Sequence, residues 1–232
     1  MRKKSSSLWS PNEEIKKKSN LESFIKHLNK KKLFKYNRKF KNIWKWSVNN
    51  SEIFWSEIWD FTKIRGVKGK KIIKKNKVFR KNIFFPFSRL NYTENLLSKK
   101  NNDIALFFHS EKGIEKKIKW NELNIKVCKF SYFLKKINLK EKDRVAAYVP
   151  NSIETIISFL AVAKNGLVWS SCSPDFGAQG VIDRFIQIKP KVLITCDYYY
   201  YNGKKNKYFR KDSRNFKKNK IYQKSSCFSL FK

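Results

Sequence analysis

A chain of 232 residues holds one ordinary domain or a domain and a half, and its 41% hydrophobic and 16% aromatic content supplies a core, which excludes wholesale disorder. The formal net charge of +36 attracts polyanions, yet 45 Lys against 9 Arg, spread over almost every segment, describe solvated positions rather than Arg-led phosphate clamps. Cys128, Cys172, Cys196 and Cys227 form no CxxC pair and lie far in sequence from His27 and His109, so neither a metal site nor a disulfide framework is spaced here.

Residues 8–63 carry helical periodicity. Asn20 is placed to cap a helix in which Leu21, Phe24, Ile25 and Leu28 fall on one face. A second helical stretch holds Ile43, Trp44 and Val48. Ser51 then caps a third, with Phe54, Trp55, Ile58 and Trp59 sharing a face. Residues 64–82 are a Lys-rich linker containing Gly66 and Gly69. Residues 82–97 mix extended and short helical character, with Pro86 stopping any regular helix. Residues 103–110 and 115–120 predict two strands joined by a turn through Gly113, and Asn121 caps an amphipathic helix through Leu134.

The most regular pattern follows. Residues 144–149 (RVAAYV) predict a strand, 151–163 a helix with Ile153, Ile156, Ile157 and Leu160 on its buried side, and 167–171 another strand after Gly166. A helix over 178–188 and a strand over 192–195 complete the run. Strand–helix–strand–helix–strand with short joints predicts an open parallel sheet covered by helices, whose strand carboxyl ends face the ligand. From residue 205 onward no period is usable, so a weakly ordered tail is expected. MRKKSSSLWSPNEE has no apolar run behind its basic residues, and no stretch approaches the roughly 18 apolar residues of a membrane span. A cytoplasmic protein with free buried thiols and no membrane partner is expected.

Residues 169–195, WSSCSPDFGAQGVIDRFIQIKPKVLIT, closely resemble the acetoacetyl-CoA synthetases, which are adenylate-forming acyl-CoA synthetases. Upstream segments fit the same family in the same order: LWSPNEE near the start, WKWSV at 44–48, FWSEIWDF at 54–61, RLNYTENLL at 89–97 and DRVAAYVPN at 143–151. The resemblance covers roughly residues 8–204. It implies an α/β fold: a helical amino-terminal collar and linker over 1–82, then the first part of a large AMP-binding domain with a mostly parallel sheet over 83–204. Residues 205–232 lie outside the family pattern, as a shifted reading frame or decayed gene would leave them.

The resemblance implies ligation of acetoacetate to coenzyme A with ATP cleaved to AMP and diphosphate, and Mg2+ as the metal of the intact enzyme. Ser173, Pro174 and Asp175 correspond to a turn that borders the coenzyme A channel in related synthetases; the alternative is a tight strand-to-helix turn with Asp175 as a helix cap. Gly203 and Lys204, in YNGK, correspond to a loop that approaches the coenzyme's phosphates, Gly203 by close backbone approach and Lys204 as a point charge; the alternative is a solvated lysine. Asp183 and Arg184 are read as a surface or interdomain ion pair, and Asn91, Tyr92 and Asn95 as packing and local hydrogen bonding. No Gly/Ser/Thr-rich phosphate loop with a following Lys occurs in the 232 residues, so no catalytic residue and no metal ligand is assigned. A truncated enzyme, inactive alone, binding none of ATP, coenzyme A and Mg2+ fully by itself, and partnered by a downstream fragment of the same enzyme, is expected. Two rivals remain: a synthetase for another short acid, and a basic module binding nucleic acid or an anionic surface without specificity.

Overall fold

The computed structural model describes residues 8–35, 39–207 and 227–229. The chain forms two compact units, Met1–Leu90 and Asn91–Lys232.

The first unit opens with α1 (Glu13–Lys17) and α2 (Asn20–Lys30). Ser19, not Asn20, caps α2: it keeps an extended backbone, and its Oγ accepts from the Glu22 amide at 3.2 Å while Asn20 is already helical. After α3 (Phe40–Asn49), Asn50 holds the cap position of α4 (Ser51–Phe61), so the expected Ser51 cap is displaced by one residue. Phe24, Ile25 and Leu28 of α2 and Ile43 of α3 form the core, with Phe54 and Ile58 packed against it. Leu21, Trp44 and Val48 stay exposed.

The stretch expected as a linker is built into this unit. β1 (Gly66–Val67) and β2 (Ile73–Lys74) precede a 3-10 turn at Phe79–Lys81, and β3 (Ile83–Phe84) and β4 (Arg89–Leu90) follow it. β1 pairs antiparallel with β4, and β2 with β3. Residues 83–90 therefore belong with the first unit. Gly66 is required there: its φ is +153°, and a Cβ would lie 2.5 Å from the Arg89 carbonyl oxygen.

The second unit starts with α5 (Tyr92–Leu96), capped by Asn91, whose side-chain amide also donates to the Ala163 and Lys164 carbonyls at 3.0 and 3.1 Å. The expected packing role of Asn91, Tyr92 and Asn95 matches this geometry: the Tyr92 ring lies 5.8 Å from Phe159, and Asn95 donates to the Asn91 carbonyl. β5 (Ile104–His109) and β6 (Glu115–Lys119) form the expected hairpin. α6 (Trp120–Lys136) follows, begun at Lys119 rather than capped by Asn121.

Then come β7 (Arg144–Tyr148), α7 (Ile153–Lys164), β8 (Val168–Cys172), α8 (Ala178–Ile188) and β9 (Val192–Thr195). A hairpin of β10 (Tyr198–Tyr201) and β11 (Lys204–Lys207) continues the chain, so residues 205–207, expected in the tail, are paired. β12 is Cys227–Ser229. The rest of the expected tail lies outside the described residues.

The sheet order is β12-β9-β7-β8 and every pairing is parallel. β12 covers the edge that β9 would otherwise present bare. Alternation in β7 sends Val145 and Ala147 toward α7, and Ala146 and Tyr148 toward α8. All four β9 residues are buried, as a parallel strand covered on both faces requires.

Candidate functional site

The chain leaves β7 toward β8 on one side and returns as β9 on the other side of β7. Helices α7 and α8 lie on opposite faces. The carboxyl ends of β7 and β9 are thus a topological switch point, where open α/β sheets hold ligands. A cavity of about 310 Å³ opens there. Its walls include Pro150 and Ser152 after β7, Tyr198 and Tyr200 of β10, and His109 and Glu111 at the end of β5. Ser152 caps α7 by accepting from the Thr155 amide at 3.2 Å.

The turn after β8 adjoins this region. Ser173 Oγ donates to Asp175 Oδ2 at 2.9 Å and accepts from the Asp175 amide at 3.3 Å, while the Phe176 amide donates to the Ser173 carbonyl at 3.1 Å. Asp175 therefore does not cap α8; Gly177 stands at that position without a side-chain bond. Pro174 is buried and the next three residues are exposed. Tyr148, fully buried, donates its hydroxyl to the Phe176 carbonyl at 2.6 Å. The Tyr199 hydroxyl donates to the Pro174 carbonyl at 3.4 Å. Arg184 stacks on the Phe176 ring, 4.4 Å from its centroid, and Asp183 accepts from Gln179 at 2.8 Å. Among the ion pairs of the described residues none joins Asp183 to Arg184, so the expected pairing is replaced by a cation–π contact and a local amide bond.

Gly203 and Lys204 sit at the tip of the β10–β11 hairpin. Asn202 and Gly203 have φ of 50° and 72°, and Tyr201 faces Lys204, which is the requirement of a two-residue I′ turn. A Cβ on Gly203 would meet no protein atom within 4 Å, and the positive φ of the turn is by itself a reason for glycine there. The Gly203 amide donates to Glu111 Oε1 at 3.1 Å, tying the hairpin tip to the end of the β5–β6 hairpin. Tyr199 thus ties the Ser173–Asp175 turn to the hairpin that carries Gly203 and Lys204, and Glu111 ties that hairpin to the β5–β6 turn. None of Ser173, Pro174, Asp175, Gly203 or Lys204 lines the cavity itself.

The thiols divide. Cys172 and Cys196 are buried as expected, but Cys128 is exposed on α6. Burial pushes the Cys196 thiol up to about 12, with the neighbouring Asp197 charge adding to it. Among the described residues no three His, Cys, Asp or Glu side chains converge as a metal would need, and no helix is long and apolar enough to cross a membrane.

A family model described as AMP-binding enzyme matches residues 94–227. The chain belongs to the AMP-binding enzyme family. The match runs past Lys204 as far as Cys227, the first residue of β12, which pairs with β9. The chain is 40% identical over 201 residues to an acetoacetyl-coenzyme A synthetase of Rhizobium meliloti (strain 1021), covering 85% of this chain and 30% of that protein. It is 37% identical over 211 residues to an acetoacetyl-CoA synthetase of Xenopus tropicalis, covering 88% and 30%. The solved structure of an acetoacetyl-CoA synthetase from Streptomyces lividans matches with a TM-score of 0.87 at 26% identity, over 95% of this chain and 34% of that one. The chain spans about 30% of the length of the curated relatives it matches.

The sequence pattern did not single out the residues that organise the turn, Tyr148 and Tyr199. The signal for Tyr148 was present: a hydroxyl-bearing ring at the end of the apolar run RVAAYV needs a buried partner.

Proposed function

We propose that the chain forms part of an acetoacetate–CoA ligase, which joins acetoacetate to coenzyme A and converts ATP to AMP and diphosphate, in the cytoplasm. The observation that carries this reading is the parallel-sheet exit at residues 172–177, beside the β7–β9 switch point, in a chain 40% identical to an acetoacetyl-coenzyme A synthetase. In this reading the Ser173–Pro174–Asp175 turn walls the coenzyme A channel. Its internal Ser173–Asp175 bond gives the wall a fixed shape without requiring a ligand. Lys204, at the exposed hairpin tip, neutralises a phosphate of the coenzyme as a point charge, and Gly203 holds the tip in its turn. Coenzyme A supplies the thiol that takes up the acyl group and displaces AMP. No residue of this chain is assigned to ATP or Mg2+, and the chain works with polypeptide equivalent to the other two-thirds of its relatives.

The test is a chimera in which this chain replaces the matched stretch of the Rhizobium meliloti protein, assayed for acetoacetate-dependent diphosphate release. The chimera turns over, and K204A raises KM for coenzyme A by about tenfold, as loss of one charge-assisted phosphate contact does, with kcat held. A protein of these 232 residues alone gives no release above a boiled control. A folded but inactive chimera, or turnover by the 232 residues alone, overturns the reading.

A further inference from the structure

Three loops leave the sheet at one level. Tyr148, the last residue of β7, is in register with Cys172 of β8 and Thr195 of β9, so it stands beside both neighbouring exits. Alternation turns its ring to the α8 side, among Ala146, Cys172, Val181 and Phe185. From there its hydroxyl reaches out of the apolar cluster to the turn. A tyrosine hydroxyl carries one proton, so it makes one donated bond. At 2.6 Å that bond belongs to the Phe176 carbonyl, and Pro174, whose carbonyl lies 3.4 Å away, is left to a second donor. Tyr199 of β10 is that donor, also at 3.4 Å. Pro174 has no N–H and extends no ladder, so the carbonyls are the turn's available handles. Between them lies Asp175, exposed and bonded to Ser173.

We infer that Tyr148 and Tyr199 are positioning residues: their two hydroxyls clamp the carbonyls on either side of Asp175 and so fix the turn that faces coenzyme A. The clamp rests on the coenzyme A reading of that turn for its function, but not for its geometry. It also makes the two candidate loops one unit. Tyr199 belongs to the hairpin whose tip carries Gly203 and Lys204, so a shift of that hairpin is passed to the Pro174 carbonyl and the turn. Arg184, stacked on Phe176, holds the turn from the α8 side.

Y148F and Y199F remove single oxygens and keep both rings. Each is compared with its unaltered parent, the 232-residue chain by residue-resolved hydrogen exchange and thermal melting, and the Rhizobium meliloti chimera by calorimetric titration with coenzyme A. Y148F raises exchange at the Asp175 and Phe176 amides about tenfold, as loss of one buried hydrogen bond does, while the β7–β9 amides keep their rates. Y199F, whose ring is only half-buried, leaves the melting temperature unchanged yet weakens coenzyme A binding by at least threefold. Unchanged exchange at Asp175 and Phe176 in Y148F overturns the clamp. Raised exchange with unchanged coenzyme A affinity overturns the positioning role. If the unaltered chimera binds no coenzyme A, the ligand reading fails, and the exchange data alone decide whether the clamp exists.

Discussion

Glu57→Gln removes the charge from a carboxylate that is 8% exposed and takes two donors on one oxygen, His27 Nε2 at 2.7 Å and Lys31 Nζ at 2.6 Å. Glu57 lies on α4, and His27 and Lys31 lie in α2 and at its end, so this carboxylate is a polar tie between the two helices. The His27 ring is itself packed on Phe24 and Phe61. Burial pushes the carboxyl up, but hydrogen bonds from Lys31 and His27, with their charge, outweigh it and hold the group below the ordinary carboxylate range. The amide keeps the shape and one acceptor while losing the charge. The cost is about 2 kcal/mol, as for a hydrogen bond to a charged group, and below the full penalty of a broken buried pair because Lys31 is 42% exposed. In a unit of this size each 1 kcal/mol shifts the midpoint by about 4–8 °C, so the expected drop is about 8–16 °C at pH 7. Tryptophan fluorescence reports it selectively, since five of the seven Trp precede Leu90. Because the folded value is depressed, the contribution is complete above the ordinary 4.5 and is lost as the pH falls through the lower folded value. The two proteins therefore converge on acidification. A difference below about 2 °C at pH 7, or one that does not shrink below pH 4.5, refutes the tie.

Gly203→Ala places an L side chain at φ +72° in open space, so its cost is conformational alone, about 1 kcal/mol. Hydrogen exchange across Tyr198–Lys207 rises roughly fivefold with the main sheet unaffected, and an unchanged hairpin contradicts the turn assignment. Maleimide at pH 7, read by peptide mass, labels exposed Cys128 in the native chain and spares Cys172 and Cys196, the latter both buried and pushed up to about 12. Native labelling at Cys196 at the Cys128 rate would show that the core opens locally.

The parallel sheet was legible because burial on both faces writes it as unbroken apolar runs: 192–195 is apolar but for Thr195, and all four residues are buried. The α2 face was legible for a related reason, since Phe24, Ile25 and Leu28 repeat at helical spacing and form one cluster. Residues 64–90 were not. Their strands are two residues long, β1 and β4 pairing across 21 intervening positions and β2 and β3 across eight, so no period exists to be found. Their lysines are solvated, and the structural information sits in Gly66, whose missing Cβ admits the Arg89 carbonyl. β12 is the same case: three residues joined to β9 across more than thirty positions.

At the candidate site the failure was of a different kind, because the signal was present and outweighed. Asn-Gly is the strongest short hairpin signal, but its flanks here, YYYY and KKNK, show no alternation of apolar and polar residues. With the period silent, YNGK reads through ligand chemistry, although the positive φ of its turn already accounts for Gly203. At Asp175 the helix-cap alternative fails, because Ser173 holds the carboxylate and Gly177 stands at the α8 cap position. Once backbone geometry accounts for Gly203 and Pro174, the proposed recognition of coenzyme A at the hairpin rests on the charge of Lys204. At the turn it rests on an exposed carboxylate between two clamped carbonyls. Both are specific to side chains, so single substitutions at Lys204 and at the two tyrosines separate the ligand claim from the fold that presents it.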